Sequence, residues 1–351
     1  MVDDSAVVRR LVTTALASDP ELEIVGAAGN GRQAIELVDT LEPDVVTLDI
    51  EMPEMDGLEA LTRIRLARPT LPVIMFSTLT EHGARQTLDA LARGAADYVT
   101  KPSGTGGLAA AVTAVRLELV PRVKALAGVR RPLPSVSAVT SPASSPESRP
   151  GRRSAHAVVV GCSTGGPDAL ARIFAELPAG LAVPMAVVQH MPPVFTRMLA
   201  ERLDARSAVT VREAVDGDLM RPGVALLAPG DHHLRLAREG GDVVARLTQE
   251  PPENYCRPAV DVLFRSAAET YGGNVLAAVL TGMGHDGLRG AEALAARGAS
   301  VVVQDEASSV VWGMPGAVAG AGLADEVLPL DRIAARLSLR SRGGAQASVS
   351  R

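Results

Sequence analysis

Residues 156–170 read His156-Ala157-Val158-Val159-Val160-Gly161-Cys162-Ser163-Thr164-Gly165-Gly166-Pro167-Asp168-Ala169-Leu170. An apolar, β-branched run ends in a glycine-flanked serine, and a helical pattern opens at once, with Pro167 suited to the first helical turn. That layout lifts the Ser163 hydroxyl out of the end of a strand and sets it beside a helix N-terminus. Free backbone N–H groups and a partial positive charge gather there. Both favour a nucleophile that must become, and then stabilise, an oxyanion. Residues 161–165 also match G-x-S-x-G, the nucleophile elbow of α/β hydrolases, a pattern that tight packing turns meet as well.

The alternation of strand and helix extends outward from this stretch. Downstream, residues 182–189, 224–228, 274–281 and 299–304 read as strands, and 234–247 as a β-hairpin around Gly240-Gly241. Upstream, 21–28, 44–50, 72–77 and 97–100 read as strands, and 5–18, 31–41, 57–68 and 84–93 as helices, with a longer helical pattern from 107 to about 126. Such alternation predicts two doubly wound parallel-sheet domains of the α/β class. Between them, residues 131–155 hold five prolines, seven serines and no aromatic residue. That composition cannot bury enough surface to offset its ordering entropy. The expected plan is a first domain over 1–122, a flexible linker over 123–154, a second domain over 155–340 and a disordered tail over 341–351.

Composition narrows the function. Of 351 residues, 47% are hydrophobic, enough for real cores, but only 2% are aromatic, so aliphatic side chains must fill them. Scarce aromatics also argue against single-stranded nucleic acid, which is bound on stacking platforms. The net charge of −5 provides no basic field for DNA or an anionic membrane. Two cysteines, Cys162 and Cys256, are too few for a disulfide framework or a zinc site and fit a reducing compartment. No basic-then-apolar leader opens the chain, and no apolar segment is long enough to span a bilayer. A cytoplasmic protein without direct membrane insertion is expected.

Open parallel sheets bind ligands at the carboxyl ends of their strands. Asp3 and Asp4 precede the first helix, Asp49 closes one strand, Ser77 the next and Lys101 the last. Three converging carboxylates repel one another unless a hard cation such as Mg²⁺ sits among them. A lysine and a hydroxyl nearby would then suit a transferred phosphoryl group. Taken singly, Asp4 also reads as an N-cap and Lys101 as a solvated loop charge. As an ordered set, Asp3-Asp4-Ser5, Leu48-Asp49-Ile50-Glu51-Met52-Pro53, Met55-Asp56-Gly57, Ser77-Thr78 and Lys101-Pro102 resemble a two-component receiver domain. The resemblance implies a flavodoxin-like fold in which Asp49 accepts phosphate from a histidine kinase. Asp3, Asp4, Asp49 and the Glu51 backbone carbonyl would hold Mg²⁺, Ser77 and Lys101 would contact the phosphoryl group, and Tyr98 would move on activation. Receivers carry a full apolar strand before the acid pair, whereas this chain offers Met1-Val2. The expectation is that the natural start lies upstream of Met1.

A nucleophilic Ser163 needs a base and an orienting acid. His190 ends the apolar run 182–189 and precedes Met191-Pro192-Pro193. Asp286 lies in Leu280-Thr281-Gly282-Met283-Gly284-His285-Asp286-Gly287, where another strand runs into a glycine-rich turn. All three fall at carboxyl ends of strands, so one cleft can gather them, with Asp286 orienting His190 and His190 taking the Ser163 proton. His285 is a competing base. Cys162 is expected to point into the core as a small hydrophobe, Trp312 to pack in the core or a cleft wall, and Cys256 has no assigned role. The order Ser, His, Asp departs from that of α/β hydrolases.

Gly161-Cys162-Ser163-Thr164-Gly165-Gly166-Pro167, Gln189-His190-Met191, Ala228-Pro229-Gly230-Asp231, Arg257-Pro258-Ala259-Val260-Asp261, residues 280–287, Gln304-Asp305-Glu306 and Trp312-Gly313-Met314-Pro315 resemble the catalytic domain of chemotaxis protein-glutamate methylesterases, the CheB family. A receiver fused ahead of that domain is the family's own architecture. The resemblance implies a three-layer α/β methylesterase domain with Ser163, His190 and Asp286 as the triad, the Met283 N–H in the oxyanion hole and Thr164 in support. It implies demethylation of glutamate γ-methyl esters and deamidation of selected glutamines on chemoreceptor cytoplasmic helices, with no cofactor at the esterase site. A chemotaxis histidine kinase would be the phosphodonor, and the unphosphorylated receiver would cover the cleft. Rival readings are an esterase on another methylated signalling protein and a phosphorylation-dependent binding module with an idle triad. A DNA-binding regulator lacks support, because the second half has no basic recognition helix.

Overall fold

In the computed structural model, which describes residues 1–102, 107–128 and 155–341, the chain forms two units, Met1–Arg130 and Arg131–Arg351. The first contains α1 (Ala6–Leu16), α2 (Gly31–Leu41), β1 (Val46–Asp49), α3 (Gly57–Ala67), β2 (Val73–Ser77), α4 (Glu81–Ala92), β3 (Asp97–Thr100) and α5 (Gly107–Gly128). Ser5, not Asp4, caps α1: its hydroxyl accepts the Val8 N–H at 3.4 Å, which leaves the Asp4 carboxylate to other work. Strands β1, β2 and β3 pair in parallel, with Val46 opposite Val73 and Ile74 opposite Asp97. Every residue of β1 and β2 is buried, as a parallel sheet covered on both faces requires.

Two expectations need correction. Residues 123–128, expected to open the linker, are the last turns of α5. Leu126 is buried there, and Lys124 pairs with Asp19 at 3.1 Å and Glu21 at 2.5 Å. The rest of the expected linker, 129–154, and the tail from 342 lie outside the described residues. Residues 21–28, expected as a strand, form none. Ala28 alone joins the sheet, through a single bridge to Val2, which also bridges Leu48. A strand needs a ladder partner, and Val2 offers one residue of it. A cavity of about 370 Å³ lies alongside, lined by Met1, Val2, Leu22, Ile24, Val38 and Val46 among others. The Met1 ammonium is buried at its margin, donating to the Gly26 carbonyl at 2.9 Å, and burial lowers its pKa. Four apolar residues placed ahead of Met1 are therefore expected to raise the thermal midpoint of this unit by roughly 5–10 °C, the shift that a net gain of about 2 kcal/mol gives once the entropy of ordering the added strand is set against its burial. An unchanged midpoint by calorimetry would show that the cavity does not limit stability.

The second unit contains β4 (Ala157–Cys162), α6 (Gly166–Glu176), β5 (Met185–Gln189), α7 (Phe195–Asp204), β6 (Thr210–Glu213), β7 (Val224–Leu227), β8 (His233–Glu239), β9 (Asp242–Thr248), α8 (Val260–Tyr271), β10 (Val275–Val279), α9 (Leu288–Ala296), β11 (Ser300–Gln304), α10 (Met314–Gly320), β12 (Glu326–Leu328) and α11 (Leu330–Ser341). Seven of its strands form one sheet in the order β12-β11-β10-β4-β5-β7-β6, and every pairing in it is parallel. Strands β8 and β9 make the expected hairpin. The edge strands β6 and β12 escape a reading by hydrophobicity because they are short and partly exposed.

Side-chain alternation makes the three layers. Val159, Ala186, Val188, Ala277, Val279 and Val301 point to one face, where they meet Leu263 and Phe264 of α8 and the β8–β9 hairpin. Their neighbours Val158 and Val160 point the other way, towards the face where α6 and α11 pack together. No helix among the described residues is long and apolar enough to cross a membrane.

Candidate functional site

Strand β4 lies at the centre of the seven-stranded sheet, with β5 on one side and β10 on the other. The chain thus reverses its winding direction at β4, and in open α/β sheets such a switch point is where ligands bind, outside the carboxyl ends of the strands. Ser163 follows β4, His190 follows β5 and Asp286 lies in the turn after β10. Backbone bonds lock the ends together. Ser163 N–H donates to the Thr281 carbonyl at 3.0 Å, and His190 N–H to the Cys162 carbonyl at 3.2 Å.

Two glycines permit this closeness. A Cβ on Gly166 would lie 2.0 Å from Gln189 Oε1, and one on Gly282 would lie 2.9 Å from Ser163 Cβ and 2.4 Å from Met314 Sδ. Gln189 itself is buried and uses its amide as a tie, donating to the Ser163 carbonyl at 3.0 Å and the His190 carbonyl at 3.2 Å. Cys162 points inward as expected, with its thiol donating to Gln189 Oε1 at 3.1 Å, and burial pushes its pKa up.

His190 Nε2 and Asp286 Oδ2 are 2.8 Å apart. Asp286 is buried and accepts backbone N–H bonds from Val260 at 2.6 Å, Asp261 at 3.0 Å and Gly287 at 3.0 Å. Burial pushes its carboxyl up, but the His190 contact and these N–H groups outweigh it and hold the pKa at about 2. Asp286 is thus a fixed anion at the N-terminus of α8, which favours negative charge. Burial disfavours the His190 imidazolium, yet the neighbouring Cys256 and the Asp286 bond more than offset this and raise its pKa. His285, the competing base, is exposed on the outer side of the same turn.

The remaining expected residues fall around Ser163. The Met283 N–H has no hydrogen-bond partner among the described residues, and Gly282, next to it, abuts Ser163. Thr164 is buried, and its carbonyl accepts the Thr281 hydroxyl at 2.9 Å. Trp312 packs its ring against Gly316 and donates its indole N–H to the Gln304 carbonyl at 2.9 Å. Ser163 Oγ makes no hydrogen bond among the described residues. His190 Nδ1 instead faces Cys256 Sγ at 3.5 Å. Cys256 is therefore part of this site, a placement that its sequence surroundings did not signal. Asn254 and Asp261 join it too: Asn254 Nδ2 donates to Asp286 Oδ1 and to Asp261 Oδ2, both at 2.9 Å.

In the first unit, carboxylate oxygens of Asp3, Asp4 and Asp49 lie within 4.8 Å of one another. Lys101 Nζ, mostly shielded from solvent, sits 2.8 Å from Asp49 Oδ1 and 3.1 Å from Asp3 Oδ2. It is a member of the cluster rather than a loop charge. Burial pushes the Asp49 carboxyl up to about 6, with the Lys101 hydrogen bond opposing and the Asp3 charge assisting that rise. Asp49 Oδ2 is buried without a hydrogen-bond partner. An all-oxygen donor set with an orphaned carboxylate oxygen fits a hard divalent cation such as Mg²⁺. The Glu51 carboxylate is exposed and its Oε1 lies 3.8 Å from His82 Nε2, so Glu51 has only its backbone carbonyl to offer. Ser77 Oγ donates to the Gly83 carbonyl at 3.2 Å and accepts from the Thr87 hydroxyl at 2.7 Å. Its hydroxyl is thus engaged with α4. Tyr98 is buried in β3.

Comparison with known proteins agrees with both halves. Residues 158–337 match the family described as CheB methylesterase, and 1–113 match the response regulator receiver domain. A protein of Nocardioides sp. named protein-glutamate methylesterase/protein-glutamine glutaminase is 53% identical over 340 residues, covering 94% of this chain and 91% of that protein. One of the same name from Trichodesmium erythraeum is 47% identical, covering 97% of each. The crystal structure of the Thermotoga maritima CheB methylesterase catalytic domain aligns with a TM-score of 0.52 at 45% identity, over 53% of this chain and 99% of that one. With its Ser163, His190 and Asp286 turns at one sheet edge and a receiver ahead of them, the chain belongs to the CheB methylesterase family.

Proposed function

We propose that this chain is a phosphorylation-controlled serine esterase that removes methyl groups from glutamate γ-esters, and deamidates selected glutamines, on the cytoplasmic helices of chemoreceptors. The 2.8 Å contact between His190 Nε2 and Asp286 Oδ2, one strand away from Ser163, carries the reading. Since Asp286 occupies Nε2, Nδ1 is the nitrogen that takes the Ser163 proton. Ser163 Oγ bonds to the acyl carbon, and the carbonyl oxygen gains negative charge beside the free Met283 N–H, with Thr164 shaping the same turn. His190 returns the proton to the departing methanol or ammonia. Water then attacks the acyl-serine, His190 takes its proton, and glutamate leaves with Ser163 restored. Each turnover adds one negative charge to a receptor helix.

Control is assigned to the receiver. Asp49 accepts the phosphoryl group from a chemotaxis histidine kinase, and Lys101 and Ser77 contact it. Asp3, Asp4, Asp49 and the Glu51 carbonyl would hold Mg²⁺, which would neutralise charge developing on the transferring phosphoryl group. For Ser77 this requires release from Gly83 and Thr87. Phosphorylation then shifts the population towards a state with an accessible esterase cleft. The deciding assay is methanol release from a methylated chemoreceptor cytoplasmic fragment, with and without a small-molecule phosphodonor and Mg²⁺. Stimulation that vanishes in Asp49→Ala supports the reading. Equal rates with and without phosphodonor, or no release from any receptor fragment, overturn it.

The base must be neutral to act, so activity is expected to rise with pH through a limb displaced above the ordinary imidazole value of about 6.5. Cys256 is the leading cause that raises the His190 pKa. Cys256→Ala should move that limb to lower pH. A limb that stays put in pH–kcat profiles would remove Cys256 from the electrostatics of the site.

A further inference from the structure

The turn Glu253–Cys256 touches both members of the His190–Asp286 pair. Glu253 and Cys256 close it by exchanging backbone hydrogen bonds of 3.1 and 2.8 Å. Between them Asn254 and Tyr255 have φ of 51° and 63°, left-handed values that asparagine tolerates and tyrosine adopts only under constraint. Such backbone persists where its surroundings over-determine it. Arg265 of α8 supplies one anchor, forking onto both Glu253 carboxylate oxygens at 2.7 and 2.6 Å. The Asn254 amide supplies the other.

That amide sits between two buried carboxylates. Asp261 is fully buried. Its Oδ1 accepts the Gly287 N–H at 3.0 Å and the Gly290 N–H at 2.6 Å, so its only bond to the turn is through Oδ2. Asn254 Nδ2 has two hydrogens and donates one to Asp261 Oδ2 and one to Asp286 Oδ1. The partners settle which way the amide faces, since only the NH₂ end can meet two carboxylates.

We infer that Asn254 is a positioning residue for the catalytic acid, an inference that rests on reading Ser163, His190 and Asp286 as the triad. Its amide pins Asp286 Oδ1, which keeps Oδ2 on His190 Nε2, and it places a donor between the Asp286 and Asp261 charges. Asp286 otherwise faces His190, the Val260 and Asp261 N–H groups of α8 and the Gly287 N–H ahead of α9. His190 faces Asp286 and Cys256, while the Glu253 and Arg265 charges stand behind the turn. Removing the amide takes away the only side-chain donor on Oδ1 among the described residues, loosens a carboxylate then held by the backbone N–H groups of Val260, Asp261 and Gly287 and by the His190 contact, and leaves it more negative towards His190. The imidazolium is then favoured, and the neutral base is reached only at higher pH.

The test uses the full chain with phosphodonor and Mg²⁺, and the variants Asn254→Gly and Asn254→Asp. Glycine accepts a φ of 51° without strain, and aspartate keeps the shape while replacing the two donors with a like charge beside Asp286 and Asp261. Both are expected to lower kcat for methanol release by about 10–100-fold, to leave KM within about twofold, and to move the acid limb of the pH–kcat profile upward. If either variant folds with kcat within about twofold of the parent and an unmoved limb, the positioning role is wrong. A kcat loss that tracks a loss of folded protein by circular dichroism, with the limb unmoved, also overturns it. Should Asn254→Gly fail to fold, the isosteric Asn254→Asp decides. Ser163→Ala runs in parallel: activity surviving there refutes the triad itself, whereas a dead Ser163→Ala beside a normal Asn254→Gly refutes only the positioning role.

Discussion

Ser163→Ala is expected to lower kcat for methanol release by about 10⁴–10⁶-fold while leaving the fold and the receiver intact. The magnitude follows from what the hydroxyl does. In the proposed mechanism it is the one protein atom that bonds to the acyl carbon, and its loss removes the covalent route instead of weakening it. The surroundings should not respond, because the Ser163 contacts that hold the turn are made by its backbone: N–H to Thr281, carbonyl to Gly166 N–H and to the Gln189 amide. Any residual rate would come from the Met283 N–H and the neighbouring backbone acting on the bound ester. A variant that keeps more than about one per cent of the parent rate would require a different nucleophile.

Asp286→Asn is expected to cost about 10³–10⁴-fold in kcat, and also some stability. The carboxylate accepts four protein N–H bonds besides the His190 contact: from Val260, Asp261, Gly287 and Asn254. Asparagine has one oxygen to offer these donors, so its NH₂ group must face a donor that then goes unsatisfied. Each buried group left without a partner costs about 1–3 kcal/mol. The His190 proton would also lose its acceptor and the tautomer its bias. Kinetics and thermal unfolding together check this, and a full-rate enzyme with a lowered midpoint would confine Asp286 to a structural part.

The positions of Ser163 and His190 at strand ends were legible because each directly follows an apolar run, and that of Asp286 because its glycine-rich turn follows a third. Their mutual arrangement follows from a parallel sheet, which brings the strand ends to one edge. The contacts around them were less legible for a physical reason. Asn254 and Cys256 sit in a turn with left-handed backbone, far in sequence from both residues they touch, and neither has a periodic neighbourhood. Asp261 reads as an ordinary first-turn acid of α8, yet it bonds the N-terminus of α9. Gln189 was quoted as part of a motif without a role, since nothing local indicates that a strand-end amide ties two backbones. In the first unit, Asp3, Asp49 and Lys101 were readable as a convergent set. The engagement of Ser77 with α4 was not, because a hydroxyl turns on a single rotatable bond. The strand expected over 21–28 failed because hydrophobicity reports what a segment prefers and cannot report whether a partner lies beside it.

The missing Cβ atoms at Gly166 and Gly282 bear on how this sequence can drift. Every single-base change from a glycine codon that replaces glycine with another amino acid introduces a side chain. At these two positions it would strike Gln189 in one case, and Ser163 and Met314 in the other. A step out of glycine must displace the Gln189 amide that ties the two strand ends in one case, and Ser163 itself in the other. The exposed hairpin position Gly241, where an added Cβ meets nothing within 4 Å and φ is not left-handed, has no such barrier. Lineages should therefore diverge freely at the hairpin tip while the two glycines packed at this strand end stay as they are.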